Sequence, residues 1–201
     1  MRGIFLDRDG VINELVYHKE QGVIDSPFTL KQFKFIPNVF RGLRRLNKLP
    51  LKIVIISNQP GMAKNHFDED IFEKIDAKMK NEFKKRDLHI DKVYYCIHHP
   101  EGVNKKYKKV CNCRKPKIGL IKKASKELNI NLKGSYFIGD GIVDVETGNN
   151  AGLITFLLGN YKCEVCKKLE EKGLKPDYIV KDLFEASKVI QTLEGNYVVI
   201  Y

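Results

Sequence analysis

The chain has 201 residues, 43% hydrophobic and 30% charged, a composition that suits one well-buried domain and excludes a disordered chain. Lysine and arginine number 36 against 25 aspartates and glutamates, and the resulting net charge of +11 favours anionic partners, although lysines spread over solvated helices account for it equally well. No apolar run reaches the length of a membrane span, and the first is interrupted by Asp7 too early for a signal sequence, so no membrane partner and a cytoplasmic location are expected, with the five cysteines read as metal ligands or buried thiols rather than disulfides.

Ile4, Phe5 and Leu6 form a continuous apolar run that predicts a strand buried on both faces. It ends in Asp7 and Asp9, two carboxylates that share one side of an extended chain and repel unless a cation intervenes; Mg²⁺, a hard ion taking one or two carboxylates, suits them. Residues 14–36 lack helical periodicity and carry Tyr17, Pro27, Phe28, Phe33 and Phe35, which predicts a long ordered loop or small flap. Pro37 can open a helix with Val39, Phe40, Leu43 and Leu46 as its apolar stripe. Leu51 to Ile56 is a second buried strand, followed by Ser57-Asn58-Gln59-Pro60-Gly61.

Ile71, Ile75, Met79 and Phe83 are spaced as one face of a helix, with Asp68 as its N-cap. Lys92 to Cys96 is a third strand that runs into His98, His99 and Pro100. Seven basic residues lie between Lys105 and Lys117, overlapping Cys111-Asn112-Cys113-Arg114-Lys115-Pro116-Lys117, and a helix with Leu120, Ile121, Ala124 and Leu128 follows. Ser135 to Ile138 forms a strand ending in Gly139-Asp140-Gly141-Ile142-Val143-Asp144. A short helix, strands at Leu153 to Leu158 and Tyr178 to Val180, and a helix from Asp182 to Leu193 complete the alternation; Cys163 and Cys166 read first as packing at the start of a helix, with competition for zinc or a redox pair as the alternatives. The pattern predicts a doubly wound, three-layer α/β sandwich with a mostly parallel central sheet, one domain over 1–201 without an interdomain linker.

Three predicted strands end in polar groups: Asp7/Asp9, Ser57/Asn58 and Asp140/Asp144. A parallel sheet brings such ends to one edge, where open α/β sheets bind ligands. A cation held by Asp7 and Asp140, the hydroxyl and amide of Ser57 and Asn58, and the ammonium of Lys115 would together cradle a phosphoryl group.

The motifs Asp7-Arg8-Asp9-Gly10-Val11-Ile12-Asn13, Ser57-Asn58-Gln59, Tyr95-Cys96-x-His98-His99-Pro100, Cys111-x-Cys113-Arg114-Lys115-Pro116-Lys117 and Gly139-Asp140-x-x-x-Asp144, in this order, resemble the haloacid dehalogenase (HAD) superfamily of aspartyl phosphohydrolases. Within it they are similar to the histidinol-phosphatase and D-glycero-D-manno-heptose 1,7-bisphosphate 7-phosphatase branch. The resemblance covers roughly residues 1–160 and implies a HAD-like Rossmannoid fold without a large cap domain. It implies that Asp7 is the nucleophile that becomes an aspartyl phosphate, and that Asp9 protonates the leaving alcohol and then activates water. Mg²⁺ would bind the Asp7 and Asp140 carboxylates and the Asp9 backbone carbonyl, with Asp144 supporting. Ser57, Asn58 and Lys115 would hold the phosphoryl group, and Arg114 would touch the substrate.

Cys96, His98, Cys111 and Cys113 supply a Cys₃His set suited to structural Zn²⁺ in a loop at about 96–113, which would pin Arg114 and Lys115. Buried thiols beside a capping histidine are the alternative, and His99 could exchange with His98. The loop Pro60-Gly61-Met62-Ala63-Lys64 ends in lysine where many relatives carry arginine, and the 14–36 segment is longer than in many relatives; both flank the expected substrate entrance. The expected activity is removal of the 7-phosphate of a heptose 1,7-bisphosphate by a monomer acting on a small phosphorylated sugar. Histidinol phosphate and polynucleotide 3′-phosphate remain alternative substrates, although the chain lacks stacking aromatics within a basic groove. A non-catalytic, zinc-stabilised anion-binding module is the alternative of another class. The role of Asn196 to Tyr201 stays open.

Overall fold

The computed structural model describes residues 1–159 and 163–196, apart from the side chains of residues 163, 164 and 196. The Cys163 side chain and residues 197–201 therefore lie outside the described residues, while Cys166 is an exposed free thiol. Strand β1 (Gly3–Leu6) is followed by an antiparallel hairpin of β2 (Val16–His18) and β3 (Val23–Asp25), then α1 (Val39–Leu46), β4 (Lys52–Asn58) and α2 (Glu69–Lys85). Next come β5 (Lys92–Cys96), α3 (Gly119–Leu128), β6 (Tyr136–Gly139), α4 (Ile142–Asn150), β7 (Ile154–Leu158), α5 (Cys163–Glu171), β8 (Tyr178–Val180) and α6 (Leu183–Asn196).

The central sheet has six strands in the order β5-β4-β1-β6-β7-β8, and every pairing is parallel. Alternation along the strands divides the core into two faces. Ile4 and Leu6, Ile53 and Ile55, and Tyr136 and Ile138 meet α1, α2 and α6 through Leu43, Met79 and Ile190. Phe5, Val54, Ile56 and Phe137 point the other way onto Leu120, Ile121 and Ala124 of α3, while Leu157 meets Val145 of α4 and Leu169 of α5. Helices on both faces of a parallel sheet make the three-layer doubly wound sandwich. Each fully buried aliphatic or aromatic side chain in it contributes about 1.5–3 kcal/mol.

Two local features differ from the sequence reading. Helix α1 begins at Val39 behind Asn38, a left-handed residue at φ 66°, so Pro37 precedes the helix instead of opening it. Strand β4 runs to Asn58, because Ser57 and Asn58 pair with Tyr95 and Cys96 of β5. Elsewhere the Asp68 carboxylate caps α2 by accepting the Ile71 N–H at 2.9 Å, and the 14–36 flap contains the β2–β3 hairpin. Among the described residues no large cap domain is inserted between the strands, and no helix is long and apolar enough to cross a membrane.

Candidate active site

Register carries the polar groups to one edge. Leu6 is level with Ile55 and Ile138, so Asp7, Ser57 and Asp140 all emerge at the C-terminal ends of three adjacent strands. The Asp7 N–H still bonds the Ile138 carbonyl at 2.9 Å, which fixes Asp7 to the sheet. Gly10, at φ 76°, lets the turn after Asp9 pass Asp140: a Cβ there would lie 1.9 Å from the Asp140 carboxylate.

Lys115 is the cation at the centre. Its Nζ lies 2.9 Å from Asp7 Oδ1 and 2.6 Å from Asp144 Oδ1, with all three residues buried. Asp144 also accepts the Gly141 N–H at 3.1 Å, so the α4 N-terminus aims it. Oxygens of Asp7, Asp140 and Asp144 can approach within 4.8 Å of one another. Burial, with the charges of Asp144 and Asp9 added and Lys115 opposing, pushes the Asp7 carboxyl up to about 6. Burial, with Asp7 and Asp144 beside it, pushes the Asp140 carboxyl up to about 8. Burial opposes the charge on Lys115, but Asp144 and Asp7 outweigh it and hold the ammonium above its ordinary value. One lysine cannot balance three carboxylates, and an all-oxygen set with this deficit fits a hard divalent cation.

The Asp9 carboxylate lies outside that set. Its Oδ1 accepts from Asn13 Nδ2 at 2.9 Å and Arg8 Nη2 at 3.1 Å, and its Oδ2 accepts from Gln59 Nε2. The two acids are therefore not neighbours competing for one cation through their side chains; each has its own setting. Arg8, Asn13 and Gln59 were not singled out from the sequence as site residues, and their place as polar residues inside the Asp7–Asn13 and Ser57-Asn58-Gln59 motifs is the signal that could have found them.

Asn58 braces the backbone that carries Lys115: its Oδ1 accepts the Lys115 N–H at 3.0 Å and its Nδ2 donates to the Lys115 carbonyl at 3.2 Å. Ser57 is buried, with its Oγ accepting from Gln59 Nε2 at 3.1 Å. Arg114 is half-buried beside the site, and its Nη1 donates to the His98 carbonyl at 3.5 Å.

Beyond β5, Cys96, His98, Cys111 and Cys113 can bring their ligand atoms within 4.8 Å of one another. Sulfur–sulfur separations are 3.5 Å for Cys96 and Cys111, and 3.1 Å from Cys113 to each of them. His98 Nδ1 is 3.3 Å from the Cys113 sulfur. A zinc tetrahedron with Zn–S bonds of about 2.3 Å has sulfur–sulfur edges of about 3.8 Å, so this donor set fits Zn²⁺ with a small expansion. His99 turns elsewhere, its Nδ1 accepting the Glu101 N–H at 3.1 Å.

The hairpin and the 59–67 loop lock together. His18 stacks on Phe28 with ring centroids 3.4 Å apart, Phe28 meets His66 at 4.3 Å, and Lys64 Nζ lies 3.9 Å from Asp25. The two segments thus form one unit.

Comparison with known proteins gives three concordant findings. The HAD-hydrolase-like family profile matches residues 112–186. D-glycero-beta-D-manno-heptose-1,7-bisphosphate 7-phosphatases are similar over nearly the whole chain: that of Escherichia coli K12 is 37% identical over 188 residues, covering 94% of this chain and 93% of that protein. The Haemophilus influenzae one is 33% identical over 193 residues, covering 96% and 98%. Among solved structures, D,D-heptose 1,7-bisphosphate phosphatase from B. bronchiseptica, complexed with magnesium and phosphate, superposes with a TM-score of 0.76 at 26% identity, covering 96% of this chain and 99% of that one.

Proposed function

Because the chain belongs to the HAD superfamily, in the branch of the D-glycero-beta-D-manno-heptose-1,7-bisphosphate 7-phosphatases, we propose that it is a Mg²⁺-dependent phosphatase that removes the 7-phosphate of a heptose 1,7-bisphosphate. The observation that carries this reading is the Asp7 carboxylate, fixed to the sheet edge and held 2.9 Å from the buried Lys115 ammonium.

Asp7 is the nucleophile. Its Oδ1 takes the Arg8 N–H at 2.7 Å and the Lys115 contact, which orients the carboxylate and leaves Oδ2 for in-line attack on phosphorus. As that bond forms, the bond from phosphorus to the sugar oxygen breaks, and Asp9 gives its proton to the departing alkoxide. Asp9, now a carboxylate, then takes a proton from water as the water oxygen attacks the aspartyl phosphate; the phosphorus bond to Asp7 breaks and releases phosphate. Splitting one displacement into two lets the same pair of acids serve both halves. Ser57 and Lys115 hold the phosphoryl oxygens, Asn58 braces Lys115, and Arg114 meets the rest of the substrate.

Asp7, Asp140 and the Asp9 carbonyl would hold Mg²⁺, with Asp144 supporting; when bound, the ion neutralises phosphoryl charge. Cys96, His98, Cys111 and Cys113 would hold a structural Zn²⁺ that fixes the loop leading into Arg114 and Lys115. The whole chain acts as a single monomeric domain.

Phosphate release from heptose 1,7-bisphosphate, histidinol phosphate and an oligonucleotide 3′-phosphate, compared as kcat/KM, tests the assignment. The bisphosphate is expected to be preferred; preference for either of the others overturns the substrate while leaving the phosphatase chemistry in place.

A further inference from the structure

Gln59 is wholly buried just past the end of β4, and no step of phosphoryl transfer calls for an amide there. Its three polar contacts nevertheless join the two halves of the site. Nε2 donates to Asp9 Oδ2 and, at 3.1 Å, to Ser57 Oγ, while Oε1 accepts from Arg8 Nη2 at 2.6 Å. The Gln59 N–H bonds the Cys96 carbonyl at 2.7 Å, so the sheet fixes the backbone from which this amide extends. We propose that Gln59, anchored by Arg8, is a positioning residue that aims the Asp9 carboxylate and the Ser57 hydroxyl at the same phosphoryl group. This rests on the reading of Asp9 as the group that moves the proton.

Three physical points support it. The amide has one tolerable orientation: flipping it would set Oε1 against the Asp9 carboxylate and Nε2 against the Arg8 guanidinium. A serine oxygen that accepts from Gln59 keeps its own O–H free, so Ser57 becomes a donor toward a phosphoryl oxygen. Arg8 is itself a fixed anchor, 1% exposed, with its guanidinium 5.6 Å from the Tyr95 ring centroid and Nη2 3.1 Å and 3.3 Å from the two Asp9 oxygens. Tyr95 is fixed in turn, its hydroxyl donating to Asp76 at 2.7 Å. Asp9 is thus held by donors at both oxygens, and a carboxyl group that cannot rotate gives or takes its proton along one line.

The test compares kcat/KM, which reports the steps through phosphoryl transfer to Asp7, on an alkyl sugar phosphate and on p-nitrophenyl phosphate. Nitrophenolate departs without a proton, so damage to Asp9 weighs more on the alkyl ester. Gln59→Met, which keeps length and removes the amide, is expected to lower kcat/KM about 10- to 100-fold more on the alkyl ester than on the aryl one. In an Asp9→Asn background, Gln59→Met should lower alkyl-ester turnover by much less than it does in the wild type, because the route through Asp9 is already cut and only the one through Ser57 is left. Should Gln59→Met fail to fold, Gln59→Glu, which keeps the shape and replaces Nε2 with an oxygen facing Asp9 and Ser57, carries the same comparison. Equal falls on both esters, or a full additional loss in the Asp9→Asn background, overturn the proposal. Wild-type turnover that persists in Asp7→Asn instead overturns the aspartyl-phosphate reading, and the two failures are distinct.

Discussion

Asn58 holds Lys115 by both polar groups of its backbone, accepting its N–H at 3.0 Å and donating to its carbonyl at 3.2 Å. A residue on β4 thereby sets where a loop 57 positions away places its ammonium between Asp7 and Asp144. Asn58→Leu keeps the shape and deletes both bonds. Unpaired buried amide groups cost about 1–3 kcal/mol, so kcat/KM should fall about 10- to 100-fold. Steady-state kinetics on the preferred sugar phosphate measure this, and a variant within twofold of wild type removes Asn58 from the positioning of Lys115.

The parallel sheet was legible because its signals are local. Ile4-Phe5-Leu6 and Tyr136-Phe137-Ile138 are continuous apolar runs, and β1 and β6 occupy them. The hairpin was not legible as strands: Tyr17 and Ile24 face each other across it and are both exposed, so burial imposes no period-two pattern. Ser57 and Asn58 read as residues beyond a strand, since their inclusion in β4 depends on Tyr95 and Cys96 of β5. Arg8 and Gln59 sit inside recognised motifs, yet what they do depends on a contact between positions 51 apart. Motifs reveal residue types at a site; which buried donor faces which acceptor is settled by packing.

Asp7 and Asp140 make the stability of the metal-free chain fall with rising pH. Their carboxyls, near 3.8 ordinarily, are pushed up to about 6 and about 8 by burial first, with Asp144 and Asp9 adding to Asp7, and Asp7 and Asp144 adding to Asp140. From about pH 4 to about pH 8 the native chain therefore binds more protons than the unfolded one, so this contribution is fully present below about 4 and is lost as pH rises through the folded values. Mg²⁺ selects the ionised carboxylates, so its stabilisation grows over the same range. Thermal melts with chelator and with excess Mg²⁺ should show a small gap at pH 5 and a wide one at pH 8. A gap independent of pH contradicts the proposed ligand set.

The division of labour between the two acids predicts different failures. Asp7→Asn removes the nucleophile, so turnover should drop to background with no covalent phosphate on the protein. Asp9→Asn keeps Asp7 but removes the group that activates water. With p-nitrophenyl phosphate it should release about one nitrophenolate per chain in a burst and gain the mass of one phosphoryl group, because formation of the aspartyl phosphate survives better than its hydrolysis. Rapid-quench measurements and intact-protein mass spectrometry read both. A burst with Asp7→Asn, or none with Asp9→Asn despite slow turnover, reassigns the roles.

The sulfur cluster predicts a metal that acts on activity from outside the reacting atoms. Cys113 lies 3.1 Å from Cys96 and from Cys111, and Arg114 and Lys115 follow it directly in the chain. Three cysteine sulfurs and an imidazole this close form a soft four-ligand set, so about one Zn²⁺ should co-purify per chain when no chelator is used. Cys113→Ser should lose that zinc, lower the melting temperature and reduce kcat/KM by about 10- to 100-fold through the loop that carries Lys115. His99→Ala should keep the zinc, because the His99 Nδ1 is occupied with the Glu101 N–H at 3.1 Å, whereas His98→Ala should weaken it. Metal analysis of the three variants decides between the histidines, and a wild-type chain purified without zinc while fully active would leave the loop to be held by packing alone.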